Sequence, residues 1–254
     1  MELTTVVLVL AFIVLLFMVS GVKAFRLLFS LLLTIAALIW VVTPLIVAGH
    51  DPELVVFLVS IPLVIAIVYL TEGFRELSHI SIIGILLSFL ITVLLEHIAI
   101  NAAGLTGLVS TDDSFLGLAG INLRALLVAG IMLGTVGILT EMVVTQVATV
   151  LEFADASPTA QLRIIFEKSY NVGIAHLGSI INTLFLVYAG VSFPLLIIYV
   201  GTGSSLYSAL NYEPLVSDIL RTLCGTIGLI IAMPLSTALA VWLSGRKTRR
   251  RRLT

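Results

Sequence analysis

Apolar residues fall in about seven runs of roughly 20, separated by short polar breaks, at 4–21, 25–48, 54–70, 80–100, 123–151, 172–200 and 219–243. Each run is apolar on every face, whereas a barrel strand would alternate apolar and polar positions. A helix of that length covers a hydrocarbon layer of roughly 30 Å, and inside lipid only helices or closed barrels satisfy their own backbone. The pattern therefore predicts an all-α integral membrane protein, a polytopic bundle of about seven transmembrane helices. Residues 1–254 read as a single transmembrane domain with a basic tail at 245–254. The first run resembles a signal peptide in length, but only Glu2 precedes it, and Lys23 and Arg26 follow it, so it reads as a retained helix.

Orientation follows from where Lys and Arg fall. Lys23 and Arg26, then Arg75, then Arg163 with Lys168, and finally the run from Arg246 to Arg252 occupy the connectors after runs one, three, five and seven. The opposite connectors hold Asp51 and Glu53, Asp112 and Asp113, and Glu213 and Asp218, with Arg124 and Arg221 as basic exceptions at helix starts. The positive-inside bias then puts the N-terminus outside and the C-terminus inside, in the cell (cytoplasmic) membrane. In the connector from Glu152 to Asn171, Ser157-Pro158 reads as the start of an amphipathic interfacial helix. The glycine-rich connector from Asn101 to Asn122 reads as a re-entrant or surface segment, and Gly190 with Pro194 predicts a kink or break in span six.

Composition sharpens this picture: 60% of residues are hydrophobic and 11% charged, far from soluble composition. The net charge of −1 conceals the basic C-terminal run. Such a run can bind nucleic acid, but directly after a spanning helix it sets topology and touches anionic lipid, so the bilayer is the expected partner and nucleic acid is not. Cys224 stands alone in an apolar helix and reads as packing. No phosphate loop, nucleophile elbow, HExxH or paired CxxC occurs, so no enzyme, cofactor or metal is expected.

Glu141 is the first candidate for chemistry, about ten positions from the near end of span five and hence roughly 15 Å deep. An ionisable group there is expected to face the bundle interior and mark an ion or proton pathway. The plainer reading is a glutamic acid hydrogen-bonded to a neighbouring helix. Thr145, Thr149 and Glu152 extend the same helical face, while His176, Ser179, Asn182 and Thr183 form a stripe on span six at similar depth. The two stripes are expected to meet, with Gly178, Ser179, Ala189 and Gly190 allowing close approach; helix glue is the competing reading of the same residues. Glu96 and His97 read as a solvated helix end, and Glu72, Arg75 and Glu76 likewise. His79 and His176 are isolated histidines.

The segment from Gly137 through Thr140-Glu141 to Gln146, then Leu151-Glu152-Phe153 and Ser157-Pro158, resembles the YibE/F-like family of bacterial membrane proteins. So do Val172-Gly173, His176, Ser179, the run Asn182-Thr183-Leu184-Phe185 through Gly190, Pro194, Asn211-Tyr212-Glu213 and Ile219-Leu220-Arg221. Thr140-Glu141 stands where the family typically has aspartate, and Ile174-Ala175 where it has Arg-Asp. The resemblance is to the YibF-type half, which implies a separate membrane partner with an extracytoplasmic domain, the YibE-type half. Residues and resemblance together lead to the expectation of a secondary permease or export component, using Glu141 for proton or cation coupling. The competing expectation is a non-transporting subunit or scaffold that docks a partner, and a homo-oligomer is a further expected state.

Overall fold

The computed structural model describes residues 2–109, 116, 117, 120–201, 203, 205–209 and 211–251. Among them the structure is helical apart from short connectors, with no strand. Helix α1 is Glu2–Ser20 and α2 is Lys23–Ala37, which runs through a π-helical turn, Leu38–Val42, into α3, Thr43–Val47. Then come α4, Pro52–Glu72, and α5, Glu76–Ala103. Helix α6 is Leu123–Ala156, α7 is Leu162–Gly201, α8 is the short Leu206–Ala209, and α9 is Glu213–Arg251. Seven of these segments are long and apolar enough to cross a membrane.

Local chemistry sets the helix ends. Asp51 caps α4 by accepting from Leu54 N at 3.0 Å, with Pro52 at the first helical position, and Asn122 caps α6 by accepting from Ala125 N at 3.2 Å. Gly104 ends α5 in a left-handed conformation, its N–H reaching the Ile100 and Asn101 carbonyls. The π-helical turn ends two residues before Pro44, whose ring removes one donor from the helical ladder; Thr43 Oγ1 donates to Leu38 O at 2.8 Å there.

The core lies where α5, α6 and α9 pack together, and α4 and α7 flank it. Ile85, Phe89, Ile131, Met132, Leu139, Met142 and Leu229 fill it. Helix α1 buries none of its length and packs mainly against α2. The connectors distinguish two ends. The basic end carries Lys23, Arg26, Arg75, Arg163 and Lys168, and the acidic end carries Asp51, Glu53 and Glu213. The side chains of the run from Arg246 onward, and Asp112 and Asp113, fall outside the described residues.

Three sequence expectations are corrected. No separate interfacial helix starts at Ser157-Pro158; those residues form a turn, and residues 162–171 are the first turns of a 40-residue α7. That helix also runs on through Gly190 and Pro194, so of the expected kink or break the break is not made, because one proline forfeits only one backbone bond and the flanking apolar turns continue. Arg221 is not at a helix start, since α9 begins at Glu213, two turns earlier. Of the connector after α5, residues 105–109 are a coil drawn onto the acidic end. Glu213 accepts there from Thr106 N and Gly107 N, both at 2.6 Å, and from Thr106 Oγ1 at 2.8 Å. Arg124 Nε donates to Leu105 O at 2.7 Å.

Gly107 is required at this junction: its φ is +90°, and an added Cβ would lie 2.3 Å from the Leu123 carbonyl. Gly107→Ala is expected to destabilise the protein by about 3 kcal/mol, strain and overlap together. Gly49→Ala, at φ +93° but with open space, is expected to cost about 1 kcal/mol. Thermal unfolding of both variants in detergent checks the ordering; equal losses would contradict it.

Candidate functional site

Helix α5 carries Ser78, Ser81, Ser88, Thr92 and Glu96 at spacings of three, seven, four and four, which is one helical face. All five are buried, at 0–1% exposure. Burial on this face is possible because α9 meets it with Gly228, Ala232, Ser236 and Ala240, small residues at every fourth position that let the backbones approach. A Cβ on Gly228 would lie 2.6 Å from Thr92 Oγ1, and one on Gly84 would lie 3.0 Å from Val143 Cγ1 of α6 and 3.8 Å from Ser236 Cβ. The two helices are antiparallel, so Thr92 opposite Gly228 and Gly84 opposite Ser236 set a register that brings Glu96 opposite Cys224.

Glu96 is enclosed at this three-helix junction. Thr135 Oγ1 of α6 donates to Glu96 Oε1 at 2.5 Å, while Oε2 is shielded and has no partner among the described residues. Thr92 Oγ1 donates to Ser88 O at 2.8 Å, and the hydroxyls of Ser81 and Ser88 are buried without partners among the described residues. The result is a lane of polar atoms from Ser78 near the basic end to Glu96, about 10 Å short of the other end of α5.

Two further polar contacts tie α7 and α9 to this centre. Toward the basic end, Gln146 Nε2 donates to Thr237 Oγ1 at 2.7 Å and to Ser169 O at 3.0 Å. Gly173 makes room for it, since a Cβ there would lie 2.6 Å from Gln146 Oε1. Toward the acidic end, Ser192 Oγ donates to Asp218 Oδ2 at 2.5 Å, and the Arg221 guanidinium lies over the Tyr188 ring, 5.8 Å from its centroid. Arg221 Nε is shielded there without a hydrogen-bond partner among the described residues.

The residues singled out from sequence lie elsewhere. Glu141, Thr145 and Glu152 are exposed on the outside of α6, and Thr149 is half-buried, donating to Thr145 O at 2.8 Å. Ser179, Asn182 and Thr183 are exposed on α7, with Thr183 Oγ1 bonded to Ser179 O at 3.0 Å. His176 is half-buried with Nε2 shielded. The expectations that Glu141 faces the interior and that the two stripes meet are therefore corrected. The physical reason is competition between faces: the face with Leu139, Met142, Val143, Val147 and Val150 packs closely and also carries Thr135 and Gln146, which bond to Glu96, Thr237 and Ser169, whereas the Glu141 side chain finds no such partner among the described residues. Glu96, taken as a solvated end, is buried instead. Its helical spacing from Thr92, Ser88 and Ser81 was the available signal; for Thr135 and Gln146 no comparable local signal exists.

A helical bundle with seven segments able to cross a membrane and a polar lane inside it is a multi-pass membrane protein. Residues 8–246 match the family described as YibE/F-like protein, so the chain belongs to that family. No curated protein and no solved structure matches it.

Removing the Thr135 hydroxyl strips Glu96 of its donor. Thr135→Val is expected to lower stability by about 1–3 kcal/mol and Thr135→Ser by less than 1 kcal/mol, read by thermal unfolding. Identical behaviour of the two would show that the hydroxyl contact is not made.

Proposed function

We propose that this chain is a secondary permease or export component in which Glu96, rather than Glu141, carries a proton or cation. One observation bears most of the weight: a carboxyl group enclosed among α5, α6 and α9, with a single donor and a shielded, unbonded Oε2. Ionisable groups at such positions are costly to bury and commonly mark ion or proton routes. Thr135 positions the carboxyl, and Ser78, Ser81, Ser88 and Thr92 supply the polar approach along α5 from the basic end. On the orientation read from the Lys and Arg distribution, that end is cytoplasmic.

The competing reading, a scaffold whose polar groups only hold helices together, gives Glu96 a structural role and no other. The two separate in liposomes loaded with a pH-sensitive dye. Under the transport reading, the purified protein dissipates an imposed pH gradient, Glu96→Gln runs at the rate of empty liposomes while still folded, and Glu141→Gln retains the wild-type rate. A wild-type rate in Glu96→Gln would contradict the proposal.

A further inference from the structure

The outward faces of α6 and α7 pose a separate problem. On α6, Gly130, Gly137, Glu141, Thr145 and Glu152 are exposed along one stripe. On α7, Gly178, Ser179, Asn182 and Gly190 are exposed along another. No described residue bonds to the side chain of Glu141 or Asn182, and both lie well inside the segments able to cross a membrane. Left against lipid, a carboxyl and a carboxamide at such depth are both unfavourable, since neither finds a hydrogen-bond partner there. Space around the stripes is empty: a Cβ added to Gly130, Gly137, Gly178 or Gly190 would meet nothing within 4 Å.

The depths of the two faces can be matched from contacts inside the chain. Gln146 of α6 bonds Ser169 O of α7 at 3.0 Å and backs onto Gly173, and a Cβ on Gly134 would lie 3.4 Å from Tyr188 Oη. Because the helices are antiparallel, these contacts put Glu141 level with Gly178 and Ser179, and Asn182 within about one turn of Gly137. Each large polar side chain on one helix thus has a small residue at its own depth on the other.

We propose that these faces join two copies of this chain, α6 of each against α7 of the other, about a two-fold axis along the membrane normal. Copies inserted the same way share all depths, so one axis makes both contacts twice. The second copy's Asn182 then fills the space over Gly137, while Glu141 lies against the second copy's Gly178 and Ser179 and within reach of its Asn182. Glu141 supplies acceptors and Asn182 donors, which satisfies on one chain's own surface both groups that lipid leaves unbonded. This inference stands apart from the role given to Glu96.

Particle mass of the purified protein in lipid nanodiscs, together with two glycine variants, tests it. The wild type is expected to contain two copies, and Gly137→Leu and Gly178→Leu to reduce the dimer fraction about tenfold or more, since each leucine overpacks a contact that the two-fold axis makes twice. A Cβ at either position meets no atom of its own chain within 4 Å, so both variants are expected to keep the wild-type unfolding temperature. Oxidation of the Gly137→Cys, Asn182→Cys double variant is expected to link the copies; Cys224, being buried, stays out of the reaction. A monomeric wild type, a dimer that persists in both leucine variants, or a different protein bound stoichiometrically on this face would each overturn the proposal.

Discussion

The close antiparallel packing of α5 against α9 is the constraint on which the rest of the structure depends. Gly84, Ser88 and Thr92 face Ser236, Ala232 and Gly228 at nearly backbone distance, leaving no room for bulky side chains between the helices. In lipid this approach gains little from exclusion of water, so it rests on dispersion and on polar groups that find each other. Closing that seam also determines what lies at its end. Glu96, one turn beyond Thr92, is carried into the interior by the same helical face and meets Thr135 on α6.

From this seam outward the polar residues divide into two populations. Thr92, Glu96, Thr135, Gln146 and Thr237 are buried and partly bonded across helices, and they hold α5, α6, α7 and α9 in one arrangement. Glu141, Thr145, Ser179 and Asn182 lie on the outside of that arrangement. The interior groups are those of the proposed ion route, and the exterior groups those of the proposed contact with a second copy. One sequence supports both because α6 has two unlike faces: an apolar one interrupted by Thr135 and Gln146, and a small-residue one interrupted by Glu141.

Seven membrane-length segments were legible in the sequence because helix length and uniform apolarity are local properties, and their number holds in the structure. Family membership was legible too, from the segment around Glu141 and the run from Asn182 to Gly190. The direction each polar face takes was not. Periodicity shows that Glu141 and Thr145 share a face, but whether it turns inward depends on which face of α6 fits α5 and α9 more closely and finds polar partners there, a comparison among three helices. The α5 lane illustrates the converse: Ser81, Ser88, Thr92 and Glu96 follow helical spacing, and what gives them meaning is the matching small stripe on α9, more than a hundred residues away. The absence of a break at Pro194 has a simpler reason, since a helix with apolar turns on both sides tolerates the loss of one backbone bond.

The central claim is that the enclosed Glu96 carboxyl exchanges its charge with the surroundings through the polar lane. Infrared difference spectroscopy of the protein in lipid, taken between acid and alkaline buffer, reads this directly through the carboxylic acid carbonyl band. The account predicts a band that titrates in the wild type and is missing from the Glu96→Gln difference spectrum. A titrating band unchanged by that substitution, or no titrating carboxyl at all, would contradict it.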